Sequence, residues 1–213
     1  MKRIFIVGGD GFARECYFAL SQQPQFNKEI CFGGFLGHGG YGSGVDYKSV
    51  SEFFICEVTE FNFCDDDYVI IGAAYPSLRS KIYKDLKQLN VKYYNLITAD
   101  SIINSSASIG ECNIIISALV SADTIIGDGN VFNYQSVVGH DACIGNFNFL
   151  GPRSQILGCA ILKDYNQIGA GTVVLPKAKL GSNNIIAPLS AVYKGCKNNK
   201  YLMGNPALNV GQV

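Results

Sequence analysis

The chain has 213 residues, 48% of them hydrophobic, which is enough to bury the core of one large or two small domains. Seventeen basic and seventeen acidic residues cancel, so neither a nucleic-acid-binding surface nor a disordered chain is expected. The eight cysteines are dispersed without a CxxC pair, and no signal peptide or membrane-length apolar run is apparent, so we expect reduced thiols and a cytoplasmic protein without membrane insertion.

The N-terminal half is predicted to be an α/β domain that begins as a Rossmann-like βαβ unit. A strand over 4–7 leads through the glycine turn GGDGFARECYFAL into a helix, and a second strand follows over 30–36. Further strands are expected over 68–72 and 91–97, joined by a helix with one apolar stripe. The stripe consists of Leu78, Ile82, Leu86 and Leu89. This alternation of strands and helices favours a small parallel sheet.

The glycine turn only partly resembles a dinucleotide-binding loop. Gly9 and Gly11 match the first two glycines of G-x-G-x-x-G, but Arg14 replaces the third. The second strand ends in Gly37-His38 instead of an acidic residue that would hold a ribose. A redox cofactor is therefore not expected. Two alternatives remain, which are a tight turn without a ligand and a nucleotide pocket in which N–H groups at a helix start meet phosphate.

A six-residue repeat dominates the second half of the chain. Apolar residues occupy every sixth position without exception over thirteen repeats, and small residues occupy the column four positions later. The apolar column is Val120, Ile126, Phe132, Val138, Ile144, Leu150, Ile156, Leu162, Ile168, Val174, Leu180, Ile186 and Val192. Three such hexapeptides close an 18-residue triangular coil, so the repeat predicts a left-handed parallel β-helix. An amphipathic helix would need a period of 3.6 and is excluded.

The repeat also sets the expected domain boundaries. Residues 1–97 form the α/β domain, 98–192 the β-helix and 193–213 a C-terminal tail. Within the β-helix, four full coils run over 120–191, and an imperfect entry coil precedes them, with a one-residue slip near 111–115.

The two histidines differ in their expected roles. His38 lies in a glycine-rich stretch and is expected to be a loop residue without a role. His140, in VVGHDACIG, follows the core position Val138 by two residues and therefore lies in a turn of the β-helix. A lone histidine is more often structural than catalytic, but Asp141 beside it can fix the imidazole tautomer and stabilise the imidazolium. Two histidines in different domains cannot supply the three zinc ligands of a β-helical carbonic anhydrase, so no catalytic metal is expected.

Three motifs, GGDGFARE, VVGHDACIG and MGNPAL, together resemble the bacterial sugar O-/N-acyltransferases of the hexapeptide-repeat type. The resemblance covers essentially the whole chain. That family contains sialic-acid O-acetyltransferases and N-acetyltransferases of nucleotide-linked 4-amino sugars. It implies acetyl-CoA as the acyl donor, no metal, and a homotrimer with active sites between adjacent β-helices.

The resemblance also implies roles for individual residues. His140 matches the general base, Asp141 its orienting acid, and Gly158 the residue whose N–H meets the thioester carbonyl. Asn133 matches a residue that contacts the acceptor sugar, although a plain polar turn residue is nearly as good an interpretation. The loop that receives the acceptor's nucleotide is matched by Gly9, Asp10, Gly11 and Phe12.

The chain departs from the family pattern in two places. Many relatives carry an acidic pair after GFL, where this chain reads GFLGHGG, and many carry a second histidine where this chain has Phe149. Both departures concern the acceptor side, so they leave open which nucleotide is bound.

The sequence therefore predicts an acetyl-CoA-dependent N-acetyltransferase acting on a nucleotide-linked amino sugar of the 4-amino-4,6-dideoxy type, in surface glycan or lipopolysaccharide biosynthesis. Transfer is expected to be direct, because no cysteine has a motif typical of a nucleophile. Two alternatives stay open. One is O-acetylation of sialic acid or another glycan sugar. The other is a non-catalytic hexapeptide scaffold with a nucleotide-sensing domain.

Overall fold

A computed structural model of the protein describes residues 1–40 and 51–213. The N-terminal part is a five-stranded parallel sheet with the strand order β3-β2-β1-β4-β5. Its strands are β1 (Lys2–Val7), β2 (Ile30–Gly37), β3 (Phe54–Glu57), β4 (Asp67–Ile71) and β5 (Lys92–Tyr93). Helix α1 (Gly11–Ser21) follows β1 and helix α2 (Pro76–Lys87) follows β4, while short 3-10 turns flank β3 at Ser51–Phe53 and Val58–Glu60.

From Leu96 onward the chain forms a triangular β-helix with three parallel sheets, which we call the first, second and third prism sheets. The first contains β7 (Ile102–Ile103), β10 (Leu119–Val120), β13 (Val137–Val138), β16 (Gln155–Ile156), β19 (Val173–Val174) and β22 (Ala191–Val192). The second contains β8 (Ser108–Ile109), β11 (Ile125–Ile126), β14 (Cys143–Ile144), β17 (Ile161–Leu162), β20 (Lys179–Leu180) and β23 (Gly195–Cys196). The third contains β6 (Leu96–Ile97), β9 (Ile114–Ile115), β12 (Val131–Phe132), β15 (Phe149–Leu150), β18 (Gln167–Ile168), β21 (Ile185–Ile186), β24 (Lys200–Met203) and the antiparallel β25 (Leu208–Gln212).

The six-residue repeat accounts for the interior of the prism. Every side chain of the apolar column is at most 3% exposed, and these residues form one continuous cluster. Before each small residue the chain turns a corner through a left-handed conformation, with φ of +56° at Asp141 and +59° at Cys159, for example. The small residues that follow are buried at the corners, where a larger side chain would not fit.

An asparagine ladder fixes one of the three corners. Asn130, Asn148, Asn166 and Asn184 recur every 18 residues, and the Oδ1 of each accepts from the backbone N–H of the residue that stacks on it, at 2.8–3.0 Å. Because these buried amides satisfy one another from coil to coil, they stabilise the stack instead of costing desolvation energy.

Two sequence expectations are corrected. The strand expected over 91–97 is split, because Asn95 turns the chain into the prism by bonding the Gly110 carbonyl at 2.7 Å and the Asn113 N–H at 2.8 Å. The register slip falls between Ile115 and Val120, where the core spacing is five residues, slightly later than expected. The segment after 192 continues the second and third prism sheets.

The N-terminal sheet packs directly against the prism. On one side, Phe12 and Cys16 of α1 cluster with Ile114 and Val131 of the third prism sheet. On the other side, Arg79 of α2 is 1% exposed and donates to backbone carbonyls from both parts of the chain. Its acceptors are Ile71, Ala73, Cys112 and Gly129. Burial among neutral groups lowers the pKa of this guanidinium, and hydrogen bonds to four carbonyl oxygens hold the group in place.

Among the described residues, no helix has the length and apolarity needed to cross a bilayer.

Candidate active site

The candidate base lies at the corner between the first and second prism sheets, which we call the His140 corner (residues 139–142 and, one coil on, 157–160). Strand β13 ends at Val138 and β14 begins at Cys143, so four residues make this turn. Asp141 takes the left-handed conformation, which aspartate tolerates better than most residues, and its N–H donates to the Ala122 carbonyl at 3.0 Å. Backbone hydrogen bonding therefore fixes the turn, and the side chains of His140 and Asp141 are not needed to hold it.

His140 and Asp141 form an exposed hydrogen-bonded pair. The imidazole Nδ1 lies 2.7 Å from the carboxylate Oδ2, and the two side chains are 67% and 58% exposed. A carboxylate accepts a hydrogen bond, so this contact assigns the proton of the neutral ring to Nδ1 and leaves a lone pair on Nε2. The pair is thus arranged as a base with an orienting acid, and its basic atom is Nε2.

Gly158, one coil beyond, lies directly against that basic nitrogen. A Cβ added at Gly158 would lie 2.6 Å from His140 Nε2 and 2.9 Å from Cε1, so the glycine leaves room for the ring in its present position. A Cβ added at Gly139 would lie 2.6 Å from the Gly158 nitrogen, so the glycine at 139 keeps that amide uncovered. Two glycines therefore create a small open space beside Nε2.

The Gly158 amide has no hydrogen-bond acceptor within the described parts of the chain. Its neighbours are bonded, since the Leu157 N–H donates to the Val174 carbonyl at 2.9 Å and the Cys159 N–H donates to the His140 carbonyl at 2.8 Å. A fixed, uncommitted N–H beside a basic nitrogen is the arrangement that can stabilise an oxyanion while a proton is removed.

The four residues of the expected nucleotide loop lie at the carboxyl end of β1. Asp10 caps α1, and its Oδ1 accepts from the Ala13 N–H at 3.1 Å. Gly11 is exposed, and a Cβ there would meet only Arg14 Nη2, at 3.8 Å. Phe12 is 9% exposed and packs in the cluster between α1 and the prism. Internal packing therefore accounts for an aromatic residue at position 12, but it does not require a glycine at position 11.

Asn133 lies at a different corner from His140, between the third and first prism sheets. We call this the Asn133 corner (residues 133–136). Its side chain is mostly buried, and Oδ1 accepts from the Tyr134 N–H at 2.7 Å. Tyr134 packs against the cluster that holds Phe12. Asn133 and the nucleotide loop thus belong to one side of the molecule, and His140 and Gly158 to the next corner of the prism. Within one chain no hydrogen bond between described residues joins the two groups.

Two positions at which the chain departs from the family pattern have structural partners. His38 follows β2, and its Nε2 lies 3.1 Å from Asp85 Oδ2 of α2, so this loop residue has a partner in the neighbouring helix. Phe149 lies on the third prism sheet and packs against the same cluster as α1. An aromatic side chain at 149 therefore contributes to the contact between the N-terminal sheet and the prism.

Sequence reasoning missed one residue at the His140 corner. One ligand atom each of His140, Asp141 and Cys159 lie within 4.8 Å of one another. The available signal was the offset of 18 residues between Asp141 and Cys159, which places them at the same position of adjacent coils. Among the described residues, these three form the one group whose possible ligand atoms lie close enough to share a metal ion.

No family model matches the sequence. The fold is found in solved structures, including a histidine-to-asparagine mutant of perosamine N-acetyltransferase from Caulobacter crescentus in complex with CoA and GDP-perosamine (17% identity, TM-score 0.83, covering 100% of this chain and 98% of that one). WeeI from Acinetobacter baumannii AYE is similar at 22% identity and a TM-score of 0.85, covering 99% of this chain and 100% of that one. The acetyltransferase domain of PglB from Neisseria gonorrhoeae FA1090 matches at 20% identity and a TM-score of 0.84, with 99% and 100% covered. The chain therefore has the left-handed parallel β-helix fold of these structures.

Proposed function

We propose that this protein transfers the acetyl group of acetyl-CoA to the amine of a nucleotide-linked amino sugar of the 4-amino-4,6-dideoxy type, in surface glycan biosynthesis. The observation that carries the proposal is the contact of His140 Nε2 with Gly158, whose N–H is uncommitted, while Asp141 holds Nδ1. Structures with the same fold contain CoA with GDP-perosamine, or acetyl coenzyme A, which supports the choice of donor and acceptor class.

The proposed reaction is direct and needs no covalent intermediate. The amine lone pair forms the new C–N bond at the thioester carbon while the carbonyl electrons move to oxygen, and the Gly158 N–H stabilises that oxyanion. His140 Nε2 accepts the proton released by the nitrogen, and Asp141 stabilises the resulting imidazolium. The carbonyl then re-forms, the C–S bond breaks, and the CoA thiolate takes the proton from Nε2.

On the acceptor side, we propose that residues 1–97 act as a Rossmann-like nucleotide-sugar-binding unit. Residues 98–192 would then carry acyl transfer, and the C-terminal tail, 193–213, contributes the last strands of the second and third prism sheets. Gly9, Asp10, Gly11 and Phe12 form the turn where β1 leads into α1, and N–H groups at a helix start attract phosphate. Gly11 fits this role because nothing inside the protein fills the place of its missing side chain. Asn133 would contact the sugar.

We also propose a homotrimer, because the acceptor residues and the base lie at different corners of one prism. A neighbouring copy would bring its His140 corner to the Asn133 corner of the first. In the test, His140→Ala and Gly11→Val are co-expressed in equal amounts and assayed at an acceptor concentration low enough that each variant alone shows little turnover. A shared site works when its acceptor half comes from a His140→Ala chain and its base comes from a Gly11→Val chain. Random mixing gives this combination in about a quarter of the sites, so about a quarter of wild-type activity is expected. No recovery in mixed oligomers, or a stable and active monomer, would contradict the shared site.

A cytoplasmic location is part of the proposal, since all eight cysteines are free in the structure and reduced thiols belong to that compartment.

The test of the activity is CoA release from acetyl-CoA with a panel of acceptors, analysed by mass spectrometry of the product. The panel contains UDP-, dTDP- and GDP-linked 4-amino sugars, their 4-hydroxy counterparts and sialic acid, with His140→Ala as the control enzyme. N-acetylation of one amino sugar by the wild type is expected, with little product from the control. Transfer only to a hydroxyl would replace N-acetylation by O-acetylation. Binding of a nucleotide sugar without turnover of any acceptor would favour a scaffold and overturn the enzyme assignment.

A further inference from the structure

We propose that the His140 corner also binds a divalent, borderline-soft metal ion such as Zn²⁺ through His140, Asp141 and Cys159, and that the bound ion blocks the base. The binding site is independent of the activity, whereas its inhibitory effect rests on the proposed function. No metal enters the proposed reaction, so the ion would act as a reversible inhibitor.

The β-helix itself aligns two of the three ligands. Asp141 and Cys159 are 18 residues apart, and both have the left-handed conformation, with φ of +56° and +59°. Residues so related point their Cβ atoms the same way from adjacent coils, about 4.8 Å apart, the spacing of neighbouring strands. The hydrogen bond from the Cys159 N–H to the His140 carbonyl, at 2.8 Å, fixes the two coils to each other. Backbone geometry therefore places the Cβ atoms of Asp141 and Cys159 side by side, and side-chain rotation completes the site.

The donor set and the spacing suit zinc. Imidazole nitrogen, thiolate sulfur and carboxylate oxygen are its usual ligands, at about 2.0–2.3 Å, which separates two ligand atoms by about 3.3–3.7 Å. The three ligand atoms already lie within 4.8 Å of one another. Closure needs the 2.7 Å contact of His140 with Asp141 to open slightly and the thiol to approach by about 1 Å. His140 and Asp141 are exposed and Cys159 is half-buried, so their side chains have room for this adjustment, and water can fill the fourth position.

The rest of the same column places charges of both signs around the site. Asp123 lies one coil before Asp141, and Lys177 lies one coil after Cys159; both are exposed left-handed corner residues. The carboxylate attracts the cation and the ammonium repels it, so these two long-range effects oppose each other. Affinity is therefore set mainly by the three ligands, and binding would release the thiol proton.

The consequence for the proposed reaction follows from the shared imidazole. A neutral imidazole that binds the ion through one nitrogen carries its proton on the other, so it has no free lone pair with which to take up the acceptor's proton. Zinc would thus lower turnover without unfolding the protein, and a chelator would restore it.

The binding test uses Co²⁺ as a spectroscopic probe on the metal-free protein, with a non-thiol reductant present. A near-ultraviolet thiolate-to-cobalt absorption band is expected to saturate at one ion per chain and to disappear when Zn²⁺ is added. Cys159→Ser should abolish the band. The matched control is Cys64→Ser, which removes an exposed thiol in the N-terminal half and should leave the band intact. No band in the wild type, or an unchanged band in Cys159→Ser, would overturn the site.

Turnover then tests the inhibitory effect separately. Zn²⁺ should inhibit the wild type reversibly, and Cys159→Ser should need about 10–100-fold more zinc for the same fractional inhibition. A cobalt band with unchanged turnover at saturating zinc would contradict the blocking role and leave the binding site standing. Absence of any acyltransferase activity would overturn the proposed function, while the absorption measurement would still decide the metal site.

Discussion

Replacing Gly158 by Ala tests whether the geometry at the His140 corner matters for turnover. The added Cβ would lie 2.6 Å from His140 Nε2, against an ordinary closest contact of about 3.4 Å, so the ring must move by about 0.8 Å. A displacement of about 1 Å at a reacting group can cost about 10²-fold in rate. We therefore expect turnover to fall by about 10²-fold.

The same substitution should leave the fold intact. Gly158 has no positive φ, so alanine fits its backbone conformation, and the displaced ring is exposed. Replacing glycine at such a position stabilises a protein by about 0.4–1 kcal/mol through the unfolded chain, so the Tm should stay the same or rise slightly. Lower turnover with an unchanged Tm separates a catalytic defect from a folding defect.

The assay is the initial rate of CoA release at saturating acetyl-CoA, paired with a thermal unfolding curve. The control repeats Gly158→Ala in a His140→Ala background, where no ring is present to be displaced. There the substitution should have little further effect on turnover. Wild-type turnover in the single variant, or an equal loss in both backgrounds, would refute the proposed contact between ring and glycine.

Three further predictions concern stability and the acceptor. Arg79→Met should lower the free energy of unfolding in urea by about 3 kcal/mol or more, because buried carbonyls lose their donor; near-wild-type stability would contradict this. Burial raises the pKa of Asp67, but hydrogen bonds from Arg3 and the Cys64 N–H outweigh it and hold that pKa below its usual value. The ionised carboxylate therefore stabilises the fold above about pH 4, and this contribution is lost as the pH falls through the folded-state pKa. Arg3→Met should accordingly cost about 1 kcal/mol at pH 7 and progressively less below pH 4, whereas a deficit independent of pH would exclude the ion pair as its cause. Gly11→Val should raise the KM for the acceptor and leave the KM for acetyl-CoA near its wild-type value; equal increases in both would point to misfolding.

The β-helix was predictable because one geometric unit repeats. Each hexapeptide buries one apolar and one small residue in the same way, so even a weak preference becomes unmistakable over thirteen repeats. The entry to the prism was harder, because a single residue, Asn95, decides where the chain leaves the first sheet. Strand β3 (Phe54–Glu57) was not predicted, since a four-residue edge strand carries little periodicity.

The candidate site was only partly predictable. His140 and Asp141 are neighbours in sequence, so their contact could be expected. The approach of Gly158 and Cys159 follows from the coil length of 18 once the fold is known. The contacts of His38 with Asp85 and of Arg79 with the carbonyls around it join residues far apart in the chain, and no local pattern encodes them. That Asn133 and His140 occupy different corners also follows from the repeat, because they lie in successive hexapeptides and three hexapeptides make one coil.

The most direct test of the central claim is the turnover of His140→Ala on the acceptor identified by the panel. The side chain is 67% exposed in the single chain and contributes nothing to the apolar column, so the fold of the chain should not change. Loss of a positioned general base costs about 10²–10⁴-fold, and Asp141→Asn should cost less because it perturbs the ring without removing it. A folded His140→Ala protein with turnover reduced by that factor is the result we predict. Turnover close to that of the wild type would show that His140 is an ordinary corner residue and that the proposed mechanism is wrong.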